Sequence, residues 1–292
     1  MNLLGDWDDL THGTAVFSAA IPFALALPVC WNVPVRWWFA VVALAVVPVA
    51  YWLFRWPDFP PLGSDDLAGM VLLAAVVILA FGTVLGERVK WPLRLVVRAL
   101  VFTAIGWSLY PEWLSEDGDA ARKILVCGWI GLSIALVSVL AGRMPEQKFS
   151  IMTPAAFIPP TIALAVLLQT GGSMRFAQVI GALAAGLAAV CLASLIWRKR
   201  DPTGSVGALW GILFVALAWS GWLFAEIRYG LACLLLCAPV AAALVRLIPI
   251  LPRTNPFLCQ LWDFLAASLV AVPVAAIAAM DYAAEMAEFE GY

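Results

Sequence analysis

Charged residues and histidine are scarce in this sequence. Only 12% of the 292 residues are charged, and His12 is the single histidine. Soluble domains contain about 25% charged residues, so a soluble fold is excluded for most of the chain. One histidine also excludes the usual bis-histidine ligation of haem within the chain. We expect no cofactor.

Sequence motifs of several enzyme classes are missing. There is no Gly-rich nucleotide loop, no HExxH zinc motif, no GxSxG nucleophile motif and no paired-aspartate motif of the prenyltransferase kind. We therefore predict that the protein is not an enzyme. Nucleic acid is not an expected partner either, because the formal net charge is −2 and nucleic-acid-binding faces are basic.

Metal-binding cysteine patterns are absent as well. The six cysteines form no CxxC pair and lie in or at the ends of apolar segments: Cys30, Cys127, Cys191, Cys233, Cys237 and Cys259. Two of them, Cys233 and Cys237, are one helical turn apart, but two thiols alone make a poor metal site. We interpret all six as buried free thiols that pack as small apolar side chains.

Hydrophobic sequence extends instead along the whole chain. Hydrophobic residues make up 64% of it, and the mean hydropathy is +0.96. Since a membrane-spanning helix needs about 20 apolar residues, we predict an all-α integral membrane protein with about ten transmembrane helices. The predicted spans are residues 14–33, 35–54, 66–86, 92–110, 124–142, 151–170, 176–197, 206–226, 229–249 and 258–280.

The distribution of charge predicts the orientation. No Lys or Arg precedes Arg36, so the start is unlike a signal peptide and we expect the first helix to be retained. With the N-terminus outside, cytoplasmic loops hold twelve of the 17 basic residues and outer loops hold five, as the positive-inside rule requires. We therefore expect the inner membrane of a bacterium, with membrane lipids around the helices and both termini on the periplasmic side.

The two halves of the sequence resemble each other. Five residues of the first span recur 132 positions later in the sixth, as the pairs Phe17 and Phe149, Ser18 and Ser150, Pro22 and Pro154, Ala24 and Ala156, and Pro28 and Pro160. We predict two five-helix repeats, residues 1–145 and residues 146–292, the second ending in a short acidic tail. An odd number of spans inverts the second repeat. Coincidence is the alternative, because apolar sequences match easily.

Prolines in matching spans indicate a function. Inverted repeats with helices broken at corresponding positions are typical of secondary transporters. A proline removes a backbone donor, and the freed carbonyls can bind a ligand where they line a cavity. We predict a substrate site between spans one and six, formed by Ser18, Pro22, Thr153, Pro154 and Thr161. The alternative is a kink that only improves packing.

Charges near or within the spans are further candidates. Asp263 lies about one and a half turns inside span ten and is predicted to carry a coupling proton or bind substrate. The alternative is a structural ion pair near the interface, for which Arg246 of span nine and Arg94 or Arg98 of span four lie on the same predicted side. Glu87 and Glu226 occupy matching positions at span ends in the two halves. We predict that they are paired gates; the alternative is that they only mark the water boundary.

Two further patterns concern packing. Arg94 and Arg98 lie on one helix face, and we expect both to extend towards the inner headgroups. Span seven carries Gly181, Ala185 and Ala189 at steps of four, which favours close helix contact.

A secondary carrier for a small solute is the function that these patterns favour. The first alternative is a non-catalytic integral subunit of a larger membrane complex, since the spans contain few polar residues with which to bind a solute. The second is a lipid-processing membrane enzyme, which the missing acid and base cluster disfavours. Whether the chain forms a homo-oligomer or joins a larger complex is left open.

Overall fold

The computed structural model describes residues 19–54, 64–85, 90–108, 120–143, 153–197, 203–224, 227–245 and 255–290. Over these residues the protein is helical and contains no strand. Its helices are α1 Ile21–Asn32, α2 Trp38–Phe54, α3 Ser64–Leu85, α4 Trp91–Ser108, α5 Ala120–Arg143, α6 Ile158–Thr170, α7 Met174–Trp197, α8 Thr203–Phe224, α9 Tyr229–Leu235, α10 Cys237–Val245 and α11 Pro256–Glu290. Short 3-10 turns precede α2 and α6, at Val35–Trp37 and Pro154–Phe157.

The all-α class is confirmed over the described residues. Each predicted span coincides with helix over its described part. Within the described ranges, four helices are long and apolar enough to cross a membrane: Ala120–Gly142, Met174–Ile196, Val206–Phe224 and Phe257–Ala284. Five shorter apolar helical segments accompany them: Ile21–Asn32, Trp38–Tyr51, Gly69–Val84, Pro154–Thr170 and Gly230–Val245. These lengths and compositions are compatible with a membrane protein.

Two segments depart from the predicted spans. The predicted span 229–249 is divided at Leu236 into α9 and α10. Pro239 explains the break, because it cannot donate to the carbonyl of Leu235 and its ring clashes there. The acidic end of the chain is not a separate tail, since α11 continues to Glu290 and is 35 residues long. A helix of that length measures about 52 Å, well beyond the roughly 30 Å hydrocarbon core of a bilayer.

The buried helix α8 lies at the centre of the packing. Its segment Val206–Phe224 is 94% buried. Helix α5 packs extensively against both α8 and α4, and glycines allow the close approach. A Cβ on Gly211 would lie 2.8 Å from Ser138 Cα, and one on Gly207 would lie 2.5 Å from the carbonyl oxygen of Ala141. Gly207 and Gly211 therefore act as a GxxxG contact.

A second set of helices packs around α7. Helices α1, α2 and α6 all lie against it, and its small residues Ala185 and Ala189 are buried, as their spacing predicts. Helix α11 packs against α6 and α10. The side chains that join these helices show that α6, α8 and α11 begin at one end of the bundle, where α5 and α7 finish. We call this end the Thr153 end.

The two halves share some helix contacts and differ in others. In each half the first two helical segments pack together, α1 with α2 and α6 with α7, and so do the last two, α4 with α5 and α10 with α11. Helix α6 also packs along α11, whereas α1 and α5 share no extensive contact over the described ranges.

Candidate functional site

A buried carboxylate lies at the Thr153 end. Asp263 is only 1% exposed, because it occupies the inward face of α11. Its Oδ2 accepts a hydrogen bond from the backbone N–H of Thr153 at 2.6 Å. Thr153 has extended backbone angles and precedes the 3-10 turn Pro154–Phe157. The carboxylate therefore occupies the amino end of span six, where the backbone N–H groups favour negative charge.

Amide and hydroxyl groups continue this polar site towards α7. Gln260 lies one turn from Asp263 on the same face of α11, and its Nε2 donates to Ser194 Oγ at 2.6 Å. The Ser194 hydroxyl in turn donates to the carbonyl oxygen of Cys191 at 2.8 Å. Both side chains are buried. Together they link the beginning of α11 to the last turn of α7.

The Thr153 hydroxyl is the unsatisfied group of the site. Its Oγ1 is buried and has no hydrogen-bond partner among the described residues. A buried hydroxyl without a partner costs about 1–3 kcal/mol, so the fold does not gain from it. A carboxylate and an unsatisfied hydroxyl at adjoining positions form an arrangement that can bind a proton, a cation or a polar solute group.

Prolines produce the local backbone at this site. Pro154 opens the 3-10 turn, and Pro159 and Pro160 occupy the first turn of α6. Proline is tolerated there because the first N–H groups of a helix have no intrahelical acceptor. All three prolines are buried. Span six therefore starts as a distorted helix in the protein interior.

Thr161 has a structural environment. Its hydroxyl donates to the carbonyl oxygen of Phe157 and accepts from Trp210 Nε1 at 2.8 Å. The Trp210 ring stacks on Phe157, with the ring centroids 4.6 Å apart. Both hydrogen-bonding roles of the hydroxyl are thus used in joining α6 to α8.

The predicted site residues are only partly brought together. Thr153 and Pro154 lie at Asp263, and Thr161 lies further along the same segment. Pro22 is buried on α1, which packs against α2 and α7 and shares no extensive contact with α6 over the described residues. The remaining three predicted residues, Ser18, Glu87 and Glu226, lie outside the described residues.

A second buried charge lies on α4. Arg98 is 7% exposed, and its Nη1 donates to Ser138 Oγ on α5 at 2.9 Å. The prediction that it extends to the headgroups is therefore wrong. Ser138, which sequence reasoning missed, also donates to the carbonyl oxygen of Ala135. Over the described residues, Arg98 Nε has no hydrogen-bond partner.

A narrow cleft begins one helical turn from this pair. It is formed by α3, α4, α5 and α8 and has room for little more than one water molecule. Its lining is apolar apart from Trp219 and Ser220, and comprises Val71, Phe102, Ile105, Gly106, Ile130, Ile134, Ala216, Trp219, Ser220 and Leu223. Phe102 and Ile134 are four residues from Arg98 and Ser138, respectively, so they separate the cleft from the buried charge.

The described ranges contain no cluster of three or more His, Cys, Asp or Glu side chains that could hold a metal ion. Comparison with known protein families, curated proteins and solved structures finds no match to this chain.

Proposed function

We propose that the protein is a secondary carrier for a small solute. The observation that supports this most is Asp263, which is 1% exposed beside the distorted start of span six. An ionisable residue inside a membrane is costly and is usually functional. The unsatisfied Thr153 hydroxyl beside it supplies a further polar group for a ligand.

The architecture proposed for this carrier has ten spans, with both termini outside. It consists of two inverted repeats, residues 1–145 and 146–292. The helical character of all ten predicted segments over their described parts supports the count. The helix pairs common to both halves support the repeat. In this proposal Asp263, Thr153 and Pro154 form the site, while Glu87 and Glu226 act as gates.

Transport itself is tested by reconstituting the protein in vesicles and measuring uptake from a pooled library of small metabolites by mass spectrometry. Asp263→Asn keeps an acceptor for the Thr153 N–H but removes the charge, so it should abolish uptake. Asp281→Asn changes an acid of the same helix near its other end and should leave uptake intact. Equal uptake by all three proteins would remove Asp263 from the mechanism.

Access to the site is tested without knowledge of the solute. In a protein whose six cysteines are replaced by alanine, a cysteine at position 153 is probed with a membrane-impermeant thiol reagent from each side. Alternating access predicts labelling from both sides. Added cysteines at positions 3 and 290 report the orientation in the same vesicles, and protection of both from the external reagent in right-side-out vesicles would contradict it.

The packing also supports the rival, a non-catalytic subunit of a membrane complex. The central α8 is almost fully buried, and the cleft beside it is narrow. A cysteine at position 153 that reacts from neither side, together with a folded protein that takes up no solute, would favour this rival over the carrier.

A further inference from the structure

We infer that Arg98 and Ser138 form a binding site for a small carboxylate anion between α4 and α5, facing α8. The site is distinct from Asp263, and the inference concerns binding alone, so it does not depend on transport. It starts from a buried cation for which α4, α5 and α8 supply no counter-charge.

Helices α4, α5 and α8, which meet at Arg98, contain no acid, and α3, which borders the nearby cleft, has acids only in its first turn, Asp65 and Asp66, at the end far from its connection to α4. Neither α4, α5 nor α8 has an Asp or Glu anywhere in its sequence. Arg94, one turn away on α4, adds positive charge instead. Asp263 is on α11, whose extensive described contacts are with α6, α7, α9, α10 and the 3-10 turn before α6. Since an uncompensated buried charge is strongly unfavourable, an anion from outside these helices would stabilise the arrangement.

The guanidinium has donors to offer such an anion. Arginine carries five N–H donors in a planar fork that matches a carboxylate. Ser138 Oγ accepts from Nη1, and Nε has no acceptor among the described residues. A carboxylate binds an arginine through two parallel hydrogen bonds. The edge of the guanidinium that carries Nε is the one available for this contact.

The depth of Arg98 argues for a solute rather than a phospholipid headgroup. Arg98 is the seventh residue after Trp91, where α4 begins, so it lies about 10 Å along the helix. Its bond to Ser138 holds it at that level, because Ser138 is five residues before the end of α5. A phospholipid phosphate lies in the interfacial region outside the hydrocarbon core.

A narrow cleft lies close to this site. Its residues Phe102 and Ile134 lie one turn from Arg98 and Ser138, on the same two helices. The α8 residues Ala216, Trp219 and Ser220 form another part of its wall. Because the cleft has room for little more than one water molecule, entry of even a small carboxylate requires the Phe102 side chain to move.

The test measures the apparent melting temperature of the purified protein in detergent as sodium acetate or sodium benzoate is titrated. Sodium chloride and sodium phosphate at equal ionic strength serve as controls. A carboxylate that binds only the folded protein raises the melting temperature with concentration. We expect Arg98→Gln to raise the apparent dissociation constant of the carboxylate roughly tenfold or more, because it removes hydrogen bonds to a charged group. Arg94→Gln should retain the response.

Two further variants keep the test decisive if Arg98→Gln does not fold. Arg98→Lys keeps the charge without the fork and should bind the carboxylate more weakly. Ser138→Ala removes the hydroxyl that positions the guanidinium and should also weaken binding. The absence of any carboxylate response in the wild-type protein, or an undiminished response in the folded Arg98 variants, would overturn the inference.

Two further outcomes would assign the counter-ion of Arg98 to another source. If vesicles of phosphatidylglycerol, but not acetate or benzoate, stabilise the protein in an Arg98-dependent manner, the ligand is a lipid phosphate and the inference is wrong about its source. Glu87 precedes α4 in the sequence and Glu146 follows α5. If carboxylates stabilise the Glu87→Gln or the Glu146→Gln variant but not the wild-type protein, the counter-ion belongs to the chain itself and the site is not a ligand site.

Discussion

The two buried charges of this protein occupy opposite kinds of environment. Asp263 accepts a hydrogen bond from a backbone N–H at the amino end of span six, and Gln260, one turn away on α11, bonds to Ser194. Arg98 has a serine hydroxyl and lies among α4, α5 and α8, which contain no acids. The backbone thus supplies part of the compensation that the carboxylate needs, whereas nothing of opposite charge on α4, α5 or α8 does so for the guanidinium.

Helix polarity explains part of this difference. The first N–H groups of a helix carry partial positive charge and are available to an acid such as Asp263. The carbonyl end of α5 would favour a cation, but this effect falls off within about one turn. Arg98 bonds to Ser138, five residues before that end. The comparison therefore predicts that removing the acid destabilises the fold and that removing the base does not.

The largest effect is expected at Gly211, where α8 packs so closely against the Ser138 backbone that no side chain fits. Gly211→Leu would drive a side chain into the Ser138 backbone, since even a Cβ would lie 2.8 Å from its Cα. Overpacking costs about 1–3 kcal/mol and occasionally more, and a leucine against backbone should reach the upper end or prevent folding. Folded yield and melting temperature in detergent measure this.

Gly128→Leu is the matched control for this substitution. Gly128 lies on α5, and a Cβ there would meet nothing within 4 Å. This variant should fold as the wild type does. If both leucine variants fold equally well, the close contact between α5 and α8 does not exist, and the environment described for Arg98 is wrong.

Removal of the carboxylate should have the next largest effect. Asp263→Leu leaves the buried N–H of Thr153 without the acceptor seen at 2.6 Å. An unsatisfied buried donor costs about 1–3 kcal/mol, and the melting temperature should fall accordingly. Asp263→Asn keeps an acceptor, so its melting temperature should fall by less. If the leucine variant is as stable as the wild type, the hydrogen bond to Thr153 contributes nothing to the fold.

Replacement of the buried base should have a smaller effect of the opposite sign. Arg98→Met removes a buried charge and keeps much of the side-chain volume. Exchange of buried ionic groups for hydrophobic residues is often neutral or stabilising by about 1–4 kcal/mol, and here the expected gain is near the lower limit because the bond to Ser138 is lost. Thermal unfolding without added carboxylate measures it. A marked loss of stability would indicate that Arg98 is already neutralised within the chain.

The sequence alone predicted the helices better than their interruptions. Runs of apolar residues place each helix, but the break between α9 and α10 depends on Pro239, whose effect on the preceding turn was a readable signal. The continuation of α11 to Glu290 was missed because the hydrophobic pattern ends near Met280. Helix length beyond the apolar segment has no marker in hydropathy.

Features of the sites that depend on one residue's position in the sequence were predictable, whereas contacts between distant residues were not. Asp263 was identifiable because its depth within a span follows from sequence position. Its bond to Thr153 and the bond of Arg98 to Ser138 join residues far apart in the chain, so they depend on helix register, which hydropathy does not give. The GxxxG pair Gly207 and Gly211 was a readable signal for the close packing that creates this register.

The smallest effect is expected for a third charge pair, which lies near the other end of the bundle. Arg228 Nη1 is 2.9 Å from Asp281 Oδ2, and the side chains are 67% and 36% exposed. Exposed ion pairs contribute about 0–1 kcal/mol, so Asp281→Asn should change the melting temperature little, and less at high salt. Asp263→Asn compared under the same salt series should show little salt dependence, because buried groups are screened less. If the Asp281 variant lost as much stability as Asp263→Leu, exposure would not separate these charges, and the contrast between the two buried ones would lose its physical basis.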